Sequence, residues 1–389
     1  MNSKYRKLFE PITLTSGVKL DNRIMLAPMT THSAFENGMI SNDELAYYEQ
    51  RAGGVGAVIT ACAYVTKEGK AFSGGFSAAS DRMIPGLTKL ANTIKSKGSK
   101  AILQLFHGGR MVRKETIGGK QPISASAIPA LRDNADTPKE MTEEEILTVI
   151  KGFGEATRRA IVAGFDGIEL HGANTYLIQQ FFSPHSNRRT DKWGGDVNKR
   201  MTFPIEVVRT VNETVKKFAD KPFLIGYRIS PEEIEEPGIT FDDTLKLTDR
   251  LVKENIDYMH LSLGTVWRGS IRNKEQAIPL LKRLKDHLGD QVPVVGVGSI
   301  KHPDEALEVL EDGIDFVALG RELIVYPQWV EKVQSGNESS IRQSMSIHDQ
   351  EELVIPSAMW ENITSLPGWL PIVEHKNNKT WIQKKIKTV

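Results

Sequence analysis

The sequence predicts a closed (β/α)8 barrel with an N-terminal β-hairpin cap, long loops after strands 3 and 4, and a C-terminal extension. Three observations predict it. Eight short apolar runs recur along the chain, most of them apolar throughout rather than alternating, as suits parallel strands covered on both faces. Longer amphipathic stretches with helix-capping signals separate them. The eight repeats occupy about 310 residues, which fits a barrel with insertions. The alternative for alternating β and α segments is a doubly wound open sheet, which would want Gly-x-Gly-x-x-Gly between a strand and a helix. No such motif stands in that context.

The elements follow in order. Lys4, Arg6 and Lys7 near the start are followed by no apolar run, so the first residues do not read as a secretion signal. Residues 11–20, centred on Ser16-Gly17, read as a hairpin placed to cap the barrel floor. Strands are expected at residues 23–29, 57–65, 100–107, 167–171, 222–230, 257–264, 293–300 and 315–320. Ser41-Asn42-Asp43-Glu44 and Thr142-Glu143-Glu144-Glu145 pair an N-cap residue with an acid three positions on, and Thr240-Phe241-Asp242-Asp243 does so with Asp. Gly98, Gly164 and Gly313 stand where helices should stop. Further helices are expected near residues 198–218, 275–288, 303–311 and 327–333. The loops at 108–141 and 172–197 far exceed the usual length of about two to six residues, as lids and binding segments do. The barrel is assigned to residues 1–336. Residues 337–389, with Trp360, Trp369 and Trp381, form an extension without an assigned role.

Composition narrows the function classes. The 389 residues carry 50 basic and 49 acidic side chains, a net charge of +1 that gives no reason to expect nucleic acid or an anionic membrane as partner. The single cysteine, Cys62, excludes a disulfide framework, a cysteine-rich zinc site and a cysteine-ligated iron–sulfur cluster. No stretch approaches the roughly 18 apolar residues of a membrane helix, and the expected location is the cytoplasm. The oligomeric state is open, a homo-oligomer included.

Barrel chemistry sits at the C-terminal strand ends. Those ends carry Thr30, Cys62, Gln104, His107, His171, Asn174, Arg228, Gly298, Ser299, Gly320 and Arg321. Arg228 among neutral hydrogen-bonders suits a heteroaromatic ligand better than a hard metal, which would want clustered carboxylates; only Glu169 lies there, inside strand 4. Gly-Val-Gly-Ser at 296–299 and Leu-Gly-Arg-Glu at 319–322 end the last two strands, where barrels commonly cradle phosphate. Glycines that simply terminate strands are the plainer reading. His171, Asn174 and Tyr176 leave strand 4 together: two donors for a carbonyl oxygen and a phenol able to act as general acid. A buried histidine with tyrosine in the wall is the structural alternative.

These residues resemble the old yellow enzyme family of FMN-dependent ene-reductases. The resemblance runs from about residue 6 to 335 through seven segments in order: Leu8-Phe9-Glu10-Pro11, residues 22–30 (NRIMLAPMT), Gln104 to Arg110, His171 to Leu177, Ser183 to Arg189, Trp193-Gly194-Gly195 with Arg200, and Gly320-Arg321-Glu322. It implies a TIM barrel holding FMN, with NADH or NADPH as reductant. Ala27, Pro28, Met29 and Thr30 would lie along the flavin, Cys62 would meet its ring system, and Gln104 would bond its pyrimidine edge. Arg228 would sit by N1 and O2, and Gly298, Ser299, Gly320 and Arg321 would hold the phosphate. His171 and Asn174 would bind the substrate carbonyl, Tyr176 would donate the proton, and His32 would stand where relatives often place an aromatic. The implied substrates are enones; a quinone or nitro-compound reductase or diaphorase would use the same residues. A flavin-free barrel lyase would need a reactive lysine at a strand end, and none of those ends carries one.

Overall fold

The computed structural model describes residues 1–373. Eight parallel strands form the barrel: β1 (Ile24–Leu26), β2 (Ala57–Ile59), β3 (Lys100–Phe106), β4 (Gly167–Gly172), β5 (Leu224–Ile229), β6 (Tyr258–Leu261), β7 (Val294–Val297) and β8 (Phe316–Leu319). Each pairs with its sequence neighbours, and β8 pairs with β1, which closes the sheet without an edge. Eight helices follow the strands in turn: α1 (Asn42–Ala52), α2 (Ile84–Ser96), α3 (Glu143–Ala163), α4 (Thr202–Phe218), α5 (Phe241–Lys253), α6 (Leu280–Leu288), α7 (Pro303–Glu311) and α8 (Trp329–Ser335). This is the (β/α)8 TIM barrel that the alternation predicts.

The caps do what their sequences suggest. Ser41 accepts a hydrogen bond from the Glu44 amide, and Thr142 with Glu145 and Thr240 with Asp243 form reciprocal capping boxes. One helix starts later than expected. Residues 275–279 are not helical, because Pro279 is extended (ψ 139°) and biases Ile278 away from helix, so α6 begins at Leu280.

The hairpin pairs Ile12–Thr13 with Lys19–Leu20. Its Leu14, Val18 and Leu20 are buried among Met25, Ala57, Ile102, Leu224, Val295 and Phe316, so the hairpin plugs the barrel floor. Asp257 fastens it there, accepting from the Ser16 amide (2.7 Å) and the Ile225 amide (2.7 Å).

The strand expected at 57–65 is broken. After Ile59 the chain bulges, then Ala63–Tyr64 rejoins β3 beside Leu105 and Phe106. The bulge is stabilised from α1 and from β3: the Ala61 amide donates to the Tyr48 hydroxyl of α1 (2.7 Å), and Thr60 Oγ1 accepts from the Gln104 amide of β3 (3.3 Å). Cys62 therefore rides on a bulge at the barrel mouth rather than in a regular strand.

Beyond the barrel, Ile341, Met345, Leu353, Ile355, Met359, Ile363 and Leu370 join the main buried cluster. Arg51 of α1 ties this segment down, donating to the Leu353 carbonyl (2.7 Å) while stacking 4.0 Å from the Tyr47 ring. The rest of the expected extension, Trp381 included, lies outside the described residues. Among those described, no helix is long and apolar enough to cross a membrane.

One buried acid couples α1 to the segment after β1. The Thr31 hydroxyl donates to the Glu44 carboxyl, which is wholly buried. Burial pushes this carboxyl up to about 7, although bonds from Thr31 and Ser33 oppose the shift. Between the ordinary value of 4.5 and about 7 the folded protein keeps a proton that the unfolded chain has lost. Stability therefore falls as pH rises through that window, by about 3 kcal/mol in all. Glu44→Gln is expected to remove the slope: melting curves should differ little from the parent at pH 5 and lie above it at pH 8. Parallel losses at both pH values would show that Glu44 does not titrate there.

Candidate active site

The strand period of two decides what enters the barrel. β1, β2, β7 and β8 send in Met25, Ala27, Ala57, Ile59, Val295, Val297, Phe316 and Ala318, all apolar. The opposite wall sends in Gln104 from β3, Glu169 and His171 from β4, Arg228 from β5, and Tyr258 and His260 from β6. Above the floor, where Ile102 and Leu224 are apolar too, the barrel thus has one apolar and one polar half.

Glu169 is the hub of the polar half. It has no exposed surface, and it accepts from Gln104 Nε2 (2.6 Å), the Tyr258 hydroxyl (3.0 Å) and His260 Nδ1 (2.8 Å). Gln104 and Glu169 face each other in register, and Gly226 lies in register with both Glu169 and Tyr258. Only a residue without a Cβ fits at Gly226, because a Cβ there would enter the Tyr258 ring. Burial opposes ionisation of Glu169, but the interaction with His260, the Arg228 charge and the bond from Gln104 outweigh it and hold its carboxyl below the usual range.

Above this hub, Arg228 lies in register between His171 and His260. It is buried, and its Nε meets no partner. Burial, reinforced by Arg228, keeps His171 well below the ordinary histidine range and therefore neutral. The Ala173 amide donates to His171 Nδ1 (3.3 Å), which places the ring proton on Nε2.

Asn174 and Thr175 turn the chain through the left-handed region (φ 56° and 60°), and Asn tolerates that conformation well. Ser262 donates to Asn174 Oδ1 (2.9 Å), so the carboxamide keeps its N–H donors for a ligand. Tyr176 follows, edge-to-face with His171 (4.8 Å) and Phe106 (5.0 Å). Burial pushes its hydroxyl up, Cys62 adds to the shift, and the Arg228 and Arg132 charges offset part of it. Cys62 itself is pushed up to about 12 by burial, so its thiol stays protonated. His32 (φ 55°) stands edge-on to Phe72 at 5.4 Å, extending the aromatic wall of Phe72, Phe106 and Tyr176.

The far end of the mouth is glycine-lined. Gly298 (φ 125°) approaches the next loop so closely that a Cβ would lie 2.7 Å from the Leu263 carbonyl oxygen. A Cβ on Gly320 would lie 3.1 Å from Met29 Sδ. Ser299 donates to the Gly264 carbonyl (2.9 Å) and accepts from Arg321 Nη2 (2.8 Å). Burial raises Glu322 to about 8, so the acid beside Arg321 is uncharged at neutral pH.

The structure gathers the sequence-predicted strand-end residues at one mouth, with one exception. His107 falls on the outward side of β3; its Nδ1 accepts from the Gly109 amide (3.1 Å), and a Cβ on Gly69 would lie 2.7 Å from its ring. Three residues the sequence reading missed matter here. Tyr258 and His260 alternate with Met259 and Leu261, a period-two signal that was available. The partners of Glu169 needed the closed register. Arg132, far along the loop after β3, carries no local signal; its Nη2 donates to the Met111 carbonyl (2.9 Å).

A profile of the family described as NADH:flavin oxidoreductase / NADH oxidase matches residues 7–340. The chain is 49% identical over 358 residues to an NADH:acrylate oxidoreductase of Vibrio harveyi, covering 91% of this chain but 36% of that longer protein. It is 44% identical over 371 residues to a probable NADH-dependent flavin oxidoreductase, YqiG, of Bacillus subtilis, covering 95% and 99% of the two chains. Among solved structures, the old yellow enzyme from Trypanosoma cruzi superposes with a TM-score of 0.74 at 27% identity, covering 86% of this chain and 93% of that one.

The glycine-lined end supplies a test of cofactor binding. Removing the Arg321 guanidinium takes away a charge-assisted hydrogen bond of about 1.5–3 kcal/mol. Arg321→Ala is expected to weaken FMN affinity roughly 10–100-fold while the barrel stays folded. Parent-like retention of FMN through dialysis would place the phosphate elsewhere.

Proposed function

The chain belongs to the NADH:flavin oxidoreductase / NADH oxidase family, and from that premise we propose that it reduces the C=C bond of small α,β-unsaturated carbonyl compounds, carboxylates of the acrylate type included. It works through bound FMN, with NADH or NADPH as reductant.

The observation that carries this reading is the convergence of two neutral donors and a protonated phenol at one mouth. His171 presents Nε2–H, Asn174 presents its amide hydrogens, and Tyr176 stands against the His171 ring. Donors fixed in advance stabilise the negative charge that grows on a carbonyl oxygen as hydride reaches the β-carbon. Tyr176 holds a proton for the α-carbon, and Arg228 and Arg132 offset the charge its oxygen gains on giving that proton up.

The residues present fit FMN. Gly298 and Gly320 present backbone without side chains at this end of the mouth, with Ser299 and Arg321 beside them for the phosphate. Arg228, with an unpartnered buried Nε, and Gln104 would take the pyrimidine edge, and residues 27–30 with Cys62 would line the ring system. The chemistry supplied by bound FMN is hydride relay from the nicotinamide to the substrate β-carbon.

Arg132 supports acrylate-type substrates: its guanidinium is held at the Met111 carbonyl, close enough for its charge to act on the Tyr176 hydroxyl.

Two variants test the roles. Tyr176→Phe should leave reduction by NADH or NADPH nearly unchanged, since hydride transfer from nicotinamide needs no general acid. It should slow reoxidation by an enone about 10²–10⁴-fold. Parent-like reoxidation in stopped-flow traces would show that the proton comes from another group, and turnover of quinones without any alkene would favour the diaphorase reading. Arg132→Gln should raise KM for acrylate roughly 10-fold while leaving that for cyclohexenone unchanged. Equal effects on both substrates would remove Arg132 from carboxylate binding.

A further inference from the structure

We propose that Glu169 is a positioning residue for the cofactor: it fixes which end of the Gln104 carboxamide faces the flavin, and its carboxylate balances the Arg228 guanidinium above it. The proposal rests on reading Gln104 and Arg228 as the groups at the pyrimidine edge.

The orientation follows from hydrogen-bond polarity. A carboxylate only accepts, so Glu169 captures the amide nitrogen of Gln104 at 2.6 Å. The amide oxygen is thereby left as the free acceptor, the polarity required by the N3–H of an isoalloxazine. Glu169 cannot drift, because Tyr258 and His260 hold its other oxygen (3.0 and 2.8 Å) and no water-facing surface remains. The backbone is committed to this arrangement as well: Gln104 lies opposite Glu169 in register, and Gly226 clears the space for the Tyr258 ring.

The charge argument is separate. Within this buried cluster Arg228, in register between His171 and His260, brings one positive charge and Glu169 one negative charge, while burial holds both histidines below the ordinary range and neutral. The cluster is therefore close to electroneutral before cofactor binds. Without the carboxylate, Arg228 would be an uncompensated cation at the pyrimidine edge, favouring whichever redox state carries more negative charge.

Glu169→Gln keeps the shape but supplies its own amide donors, so Gln104 can turn its oxygen inward and present N–H groups to the flavin. Two measurements on the FMN-loaded protein follow. The first is the affinity for FMN against 3-methyl-FMN, which lacks the N3 hydrogen. The parent should prefer FMN roughly 10-fold, the size of one satisfied hydrogen bond against an unpaired acceptor, and Glu169→Gln should bring the ratio close to one. The second is the flavin midpoint potential by dye equilibration: it should become more positive in Glu169→Gln and stay near the parent value in Glu169→Asp, which retains the charge. Tyr258→Phe, which removes one hydrogen bond to Glu169, should shift both readouts in the same direction by less, and it serves should Glu169→Gln not fold.

A folded Glu169→Gln protein with the parent's preference and potential would overturn the proposal. If the parent itself showed no preference for FMN over its 3-methyl analogue, the assignment of Gln104 to the pyrimidine edge would fail first, a different and distinguishable result.

Discussion

Arg228 is a guanidinium buried at the top of a closed barrel with a single carboxylate, Glu169, to balance it, and much of the site's chemistry depends on that charge. Together with His260 and Gln104, it holds Glu169 ionised against the desolvation that would protonate it. It disfavours a second positive charge on His171 and His260, its neighbours in register, which keeps His171 a neutral donor. It also offsets part of the cost of charge on Tyr176 and Cys62. A lysine on this strand would bring the charge without the planar fork that an edge of a heteroaromatic ring can meet at two points. The burial that isolates the guanidinium comes from the fold: the hairpin seals the floor, the apolar half of the barrel excludes water, and the register places the carboxylate within the same polar wall.

What was legible in the sequence was whatever acts locally. Capping boxes involve residues three apart, and Thr142 with Glu145 forms its box as its spacing suggests. The continuity of the apolar runs betrayed parallel strands, because both faces of such strands are covered. The turn that carries His171, Asn174 and Tyr176 was legible for the same reason, lying within six residues at the end of one strand.

What was not legible depends on closure. The Glu169 network joins residues of three strands and exists only once β3, β4, β5 and β6 take their registers. The break after Ile59 is held by Tyr48, a helix residue whose spacing from Ala61 carries no motif. His107 was misplaced by treating strand ends as uniformly inward. Its parity opposes that of Gln104, and counting by twos from that residue would have put it on the helix side. Arg132 comes near enough to act on Tyr176 through the shape of a long loop, for which residue spacing offers no rule.

One anaerobic spectrophotometric titration decides whether this mouth holds a flavin that nicotinamide reduces and an activated alkene reoxidises. The purified, FMN-loaded protein should be yellow. Its flavin absorbance should bleach on adding NADH or NADPH and return on adding acrylate or cyclohexenone. Protein that takes up no FMN, or a bleached flavin that neither alkene restores, would contradict the account.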